Sequence, residues 1–244
     1  MPTDLLPADT PLGLALRGDW HPLFWAGITL GFYLLTRAVH QWHARWWTSP
    51  LLATWALCFA LALSLHVTYR DYIKGTHWLL TLLGPATVAF ATPIYEQRAM
   101  IRRHWPVLAI GVIAGTTLAM GSSWVLAGLL GLSPSLRLTL LPRSISTPFA
   151  IVVAGDVGGV PELAAICVVI TGLLGASVGD LLLKWLPLRS TMARGALFGM
   201  GAHAVGSVRA RAVGAEEGSI AGLVMIMAGL TSVLLAPLLA LCLR

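Results

Sequence analysis

The densest chemistry in the chain lies in "LLPRSISTPFAIVVAG", residues 140–155. Arg143 offers a permanent charge in a planar fork that matches a carboxylate, and Ser144, Ser146 and Thr147 offer hydroxyls. Pro142 and Pro148 each delete a backbone donor and stop a helix from running through. As a plain membrane helix the run is poor, because hydrocarbon solvates neither the guanidinium nor the freed backbone groups. A cavity suits it better. A half-helix beginning near Thr147, with Pro148 in its first turn, aims free N–H groups and a positive dipole end at the same place. The combination predicts an anion site in which Arg143 holds a carboxylate bidentately. The alternative is an arginine snorkelling to an interface beside helix-terminating prolines.

A second constellation is "GALFGMGAHAVGSVRARAVGAEEG", residues 195–218. On one continuous helix Gly195, Gly199, His203 and Ser207 recur at intervals of four, with Ala202, Gly206 and Ala210 alongside. The small residues read as a close packing face. His203 is available for a hydrogen bond to substrate or for proton relay, with Ser207 one turn on and Arg209 near the segment end. A satisfied core histidine is the commoner case. Asp180 is expected to pair with Lys184 on its own helix. A third stretch, "LLGPATVAFATPIYEQR" from Leu82, repeats the Leu-Leu, proline, hydroxyl, proline order of 140–155. Here Pro85 and Pro93 would break a helix, and Thr87 would offer a hydroxyl without charge.

The elements that carry these residues are membrane spans. With 57% hydrophobic and 11% charged residues in 244, the composition is far from that of a soluble domain. Apolar segments fall at about 23–39, 51–69, 77–95, 105–132, 136–154, 161–183, 195–208 and 219–243. Those at 105–132 and 219–243 carry no charge and are long enough to cross a core of about 30 Å. The segment at 195–208 would rise only about 21 Å as a helix, so it needs protein around it or does not fully cross. The expected organisation is a tail at 1–22, N-terminal helices at 23–76 and a core at 77–244. That core holds repeat-like units at 77–132 and 136–183 plus helices at 195–208 and 219–243. Paired broken segments in two halves are the best sequence pointer to a transporter site. The fold class expected is an all-α integral membrane protein of seven to eight segments, two of them discontinuous.

Charge and composition exclude several classes. The net charge of +6 sits in short clusters between apolar spans, which reads as cytoplasmic loops and not as a nucleic-acid face. Eight strict crossings divide Lys and Arg evenly between the two faces. If 136–154 enters and returns to one side, the bias improves. Tryptophans near segment ends, Trp25, Trp42, Trp105 and Trp185 among them, read as interface anchors. The three cysteines lie in apolar stretches as small hydrophobes, and the His-x-x-His pair in "HQWHARWW" lacks the carboxylate or third ligand of a metal site. The acidic, proline-rich start lacks the n- and h-regions of a signal peptide, so the first span is expected to serve as insertion signal. No catalytic triad order, phosphate loop or metal-ligand cluster is present, so neither an enzyme nor a cofactor is expected.

From Leu82 to the C-terminus, "LGPATVAFATPIYEQR", "LLPRSISTPFAI", "VVITGLLGASVGDLLLK" and "ARGALFGMGAHAVGSVRA" resemble the LrgB/CidB family of bacterial membrane proteins. Against the family patterns P-K-S-[VI]-T-T-P and A-S-H-A-[IV]-G-T-[AS]-R-A, Arg143 replaces lysine and Ser146 replaces threonine. Gly201-Ala202 stand for Ala-Ser, and Ser207-Val208 for Thr-Ala or Thr-Ser. The resemblance implies a multi-pass protein of the bacterial inner membrane and one of two functions. One is a holin- or antiholin-like regulator of murein hydrolase export and autolysis, acting with a small LrgA/CidA-type membrane partner. The other is a carrier of small monocarboxylates such as pyruvate, through similarity to the plastid glycolate/glycerate translocator. The residues favour the carrier, with a homodimer plausible from the glycine-rich faces.

Overall fold

The computed structural model describes residues 21–42, 50–68, 72–73, 76, 78–79, 81–89 and 91–243. Among them all regular structure is helical. The chain divides between Ala86 and Thr87 into two compact units.

In the first unit, α1 (His21–Trp42) and α2 (Pro50–Ser64) pair antiparallel. The pairing is read from hydroxyls: Thr36 Oγ1 lies 2.8 Å from Thr54 Oγ1, and Cys58 Sγ lies 4.0 Å from Thr29 Oγ1 near the other end. Such side-chain bonds between otherwise apolar helices fix their register. Trp25, expected at an interface, is instead fully buried and meets the Tyr72 ring edge-on at 5.4 Å. Trp42 and Trp185 are exposed, as anchors are.

Across the division runs α3 (Leu83–Ala89), followed by α4 (Ala91–Glu96). The second unit continues with α5 (Arg98–Leu129), α6 (Pro134–Leu140), a 3-10 turn at Leu141–Ser144 and α7 (Thr147–Val157). It ends with α8 (Pro161–Trp185), α9 (Thr191–Val213) and α10 (Ala215–Leu243). Three of these, α5, α8 and α10, are long and apolar enough to cross a membrane. α5 is kinked at His104 and extends about 38 Å beyond it, and α8 and α10 extend about 38 and 44 Å, all beyond the hydrocarbon thickness. Leu118 and Leu234 on their outer faces are 71% and 77% exposed, as lipid-facing side chains are. Inward, Val112, Met120, Ile145, Phe149, Val153, Val168, Leu223 and Val224 form one core.

Helix ends follow local chemistry. Ser133 accepts from Leu136 N at the start of α6, and Ser190 accepts from Ala193 N at 3.1 Å at the start of α9. Gly158 closes α7 at φ 88°, a left-handed position that a β-carbon disfavours. Pro187 stops α8, holding Leu186 extended.

Candidate functional site

Two segments of the second unit turn back on themselves. The first is α6, the 3-10 turn and α7. Ile145 and Ser146 between them are extended, at ψ 170° and 149°. Beyond α7 the chain lies against α6 again: Val160 N donates to Thr139 Oγ1 at 2.8 Å, and a Cβ on Gly159 would sit 2.8 Å from Thr139 N. Residues 134–157 therefore form a re-entrant hairpin with its tip at Ile145–Ser146.

The second is α9, whose helical pattern is interrupted at His203 (φ 40°, ψ −120°). Were α9 straight, Arg194 and Arg211 would lie about 26 Å apart. Instead Arg194 pairs with Glu217 at 3.6 Å, and a Cβ on the adjacent Gly218 would sit 2.7 Å from Arg211 Cβ. Gly206 correspondingly packs on the Phe198 carbonyl, where a side chain would overlap it. The expectation of one continuous face carrying Gly195, Gly199, His203 and Ser207 is thus corrected. The helix enters, reverses at His203 and returns, consistent with a segment too short to cross.

The two hairpins come from opposite ends of α8. The first finishes at Val157, four residues before Pro161, and the second starts at Thr191, six residues after Trp185. Their tips meet midway along that helix. The 3-10 turn touches both α8 and α9, and Gly175 of α8 packs on the Gly201 carbonyl just before the second tip. The His203 ring lies over Gly172, where a Cβ would come within 2.6 Å of Cε1.

Both tips carry a buried polar group with no hydrogen-bond partner among the described residues, as do Thr116 and His104 on α5 and Arg137 on α6. Ser146 Oγ, His203 Nε2 and Thr116 Oγ1 are buried and make no hydrogen bond. All three residues are 2% exposed. A buried group left unpaired costs about 1–3 kcal/mol, and a non-glycine residue in the His203 backbone region costs a similar amount. Such costs persist where a ligand is to be met. Arg143, half-buried, donates from Nε to Ser123 Oγ at 2.6 Å. Among the described residues its guanidinium makes no other hydrogen bond. Both returning arms, α7 and the second half of α9, begin at the tips, so two helix N-termini point their positive ends at this spot.

A family model, described as the LrgB-like family, matches residues 29–242. The chain belongs to the LrgB-like family. It is 34% identical over 211 residues to the Bacillus subtilis protein YxaC, covering 86% of this chain and 92% of that one. It is 28% identical over 215 residues to the holin-like protein CidB of Staphylococcus aureus, covering 88% and 93%. Staphylococcus epidermidis CidB matches at 27% over 214 residues, covering 88% and 93%. No solved structure matches the chain.

In this LrgB-like protein, Arg143, Ser144, Ser146 and Thr147 stand on the first tip and its exit, and His203 on the second tip. Ser207 Oγ bonds the His203 carbonyl at 3.0 Å, stitching the first turn of the returning arm. Arg209 is elsewhere: its Nε bonds Asp180 on α8 at 2.8 and 2.9 Å, so Asp180 pairs with Arg209 and not with Lys184. Pro142 lies in the 3-10 turn and Pro148 in the first turn of α7. Pro85 lies in α3 and Pro93 in α4; residue 90 between them and the Thr87 side chain are outside the described residues.

Sequence reasoning missed Thr116 and Ser123. They lie on the buried stripe of α5 with Val112, Met120 and Ala127. The readable signal was two hydroxyls at helical spacing on the inward face of an uncharged span.

Proposed function

We propose that this protein carries small monocarboxylates, of the size of pyruvate or glycolate, across the bacterial inner membrane by alternating access. One observation carries the reading: the tips of two hairpins from opposite ends of α8 meet at its middle, one bearing Arg143 and the other His203. Broken segments at mid-membrane in units of opposite direction are the architecture of many secondary carriers. In this reading Arg143 supplies the countercharge, and Ser144, Ser146 and Thr147 supply hydroxyls. Thr87 adds another, while His203 and Ser207 close the site. In this reading the inverted repeats are α5 with the first hairpin and α8 with the second, in place of the units at 77–132 and 136–183 expected from the sequence.

Charge supports an orientation. The α8 end where the second hairpin opens gathers Arg98, Arg102, Arg103, Lys184, Arg189, Arg194, Arg209 and Arg211. At the opposite end are Arg137, whose guanidinium lies 3.9 Å over the Trp124 ring, and the acids Asp156 and Glu162. The basic end faces the cytoplasm under the positive-inside rule.

The test is uptake of labelled pyruvate and glycolate into proteoliposomes holding this chain alone. Saturable uptake that Arg143→Ala abolishes and Arg143→Lys retains supports the carrier. A leak indifferent to Arg143 and equally open to unrelated solutes overturns it. That result favours the second reading, the regulator of murein hydrolase export acting with an LrgA/CidA-type partner that the resemblance implies; the staphylococcal relatives' name supports its holin-like part.

A further inference from the structure

We propose that Ser123 is a positioning residue that sets how Arg143 presents itself to a carboxylate, an inference that rests on the carrier reading above. Ser123 sits on α5, a different element from the hairpin that carries Arg143, and is 3% exposed. Its hydroxyl accepts from Arg143 Nε at 2.6 Å, a short charge-assisted bond. A guanidinium can grip a carboxylate through its two terminal nitrogens or sideways through Nε and one of them. With Nε committed to Ser123, the sideways mode is closed and the two terminal nitrogens form the free edge. The bond also removes rotamers from a long, half-buried side chain, so the fork is already oriented when the anion arrives.

The neighbour Ser122 is a built-in control. It is exposed, and its hydroxyl donates to the Ala119 carbonyl of its own helix.

The experiment measures KM and Vmax for labelled pyruvate in proteoliposomes of the full chain, with folding checked by monodispersity and melting. Ser123→Ala is expected to raise KM about tenfold with Vmax little changed, the size of one hydrogen bond to a charged group. Ser123→Thr restores KM, and Ser122→Ala leaves it alone. In an Arg143→Lys background, which has no Nε–H to donate, Ser123→Ala should add no further rise. Arg143-dependent uptake with an unchanged KM in Ser123→Ala overturns this inference alone. So does an undiminished effect of Ser123→Ala in the lysine background. Uptake that is absent, or indifferent to Arg143→Ala, overturns the carrier reading and this inference with it.

Discussion

Gly172→Ala is the sharpest test of the second hairpin's place in the site. A Cβ there would lie 2.6 Å from His203 Cε1, 3.0 Å from Val205 Cγ2 and 3.1 Å from His203 Nε2. Ordinary carbon contacts need about 3.5 Å, so the ring and tip must move by about 1 Å. Overpacking of this kind costs about 1–3 kcal/mol, and the helix-propensity gain of alanine over glycine offsets about 1 kcal/mol. The net destabilisation is about 0–2 kcal/mol, a modest fall in melting temperature. Binding should change much more if the proposed site is right, because the strain falls on the His203 ring assigned to it. Loss of one good hydrogen bond to a charged ligand raises KM about tenfold. Gly201→Ala is the matched control, made two residues before His203 where a Cβ meets nothing within 4 Å. The assay is proteoliposome uptake beside thermal melting. A Gly172→Ala protein with KM within about twofold of wild type would refute the reasoning. Equal damage from Gly201→Ala would do the same.

Three further outcomes are expected. With the native cysteines replaced by serine, single cysteines at Arg189 and Arg211 should label from one side of the membrane and at Ser133 from the other; labelling of Arg189 and Arg211 from opposite sides excludes the second hairpin. Ser146→Ala removes a buried hydroxyl that pairs with nothing, so it should raise stability in the absence of substrate by about 1 kcal/mol while weakening uptake; a mutant that loses both is evidence for a structural role. Asp180→Ala and Arg209→Ala each break a pair whose side chains are 35% and 48% exposed, so each should cost below about 1 kcal/mol in melting and leave KM within about twofold. A large KM effect from Arg209→Ala alone would return it to the site.

How much was legible depends on whether the signal was local. Pro142, Arg143 and Pro148 announce a break from their own covalent properties, and the structure has a 3-10 turn and extended residues there. His203 carries no such signal. Helical periodicity through Gly199, His203 and Ser207 is undisturbed in one dimension. The reversal depends instead on partners far along the chain, with Gly172 making room for the ring and α10 holding both arms through Glu217 and Gly218. The bond between Asp180 and Arg209 spans 29 residues, whereas the Asp180–Lys184 expectation used only the nearest helical neighbour. The inward face of Ser123 was readable from helical spacing, but its pairing with Arg143 was not, since that partner is twenty residues away on another element.

The reversal at His203 also changes what the basic residues imply. With 195–208 read as a crossing, Arg209 and Arg211 fall on the face opposite Arg189 and Arg194, and the charge bias is weak. Folding the segment back moves both to the end that holds Lys184, Arg189 and Arg194; it also reverses the direction of α10, and with it the expected side of the C-terminal Arg244. Geometry and charge are independent observations, one from packing at Gly206 and Gly218, the other from loop composition. Their agreement strengthens the two-hairpin topology beyond either alone. In the proposed carrier it also restricts mechanism: each hairpin would close the site from one side only, so opening the path would mean moving one tip while the other holds the anion. The strained backbone at His203 and the unpaired hydroxyl of Ser146 stand at those two tips. Under the carrier proposal, a carboxylate that pairs both would stabilise the closed form and link occupancy to closure.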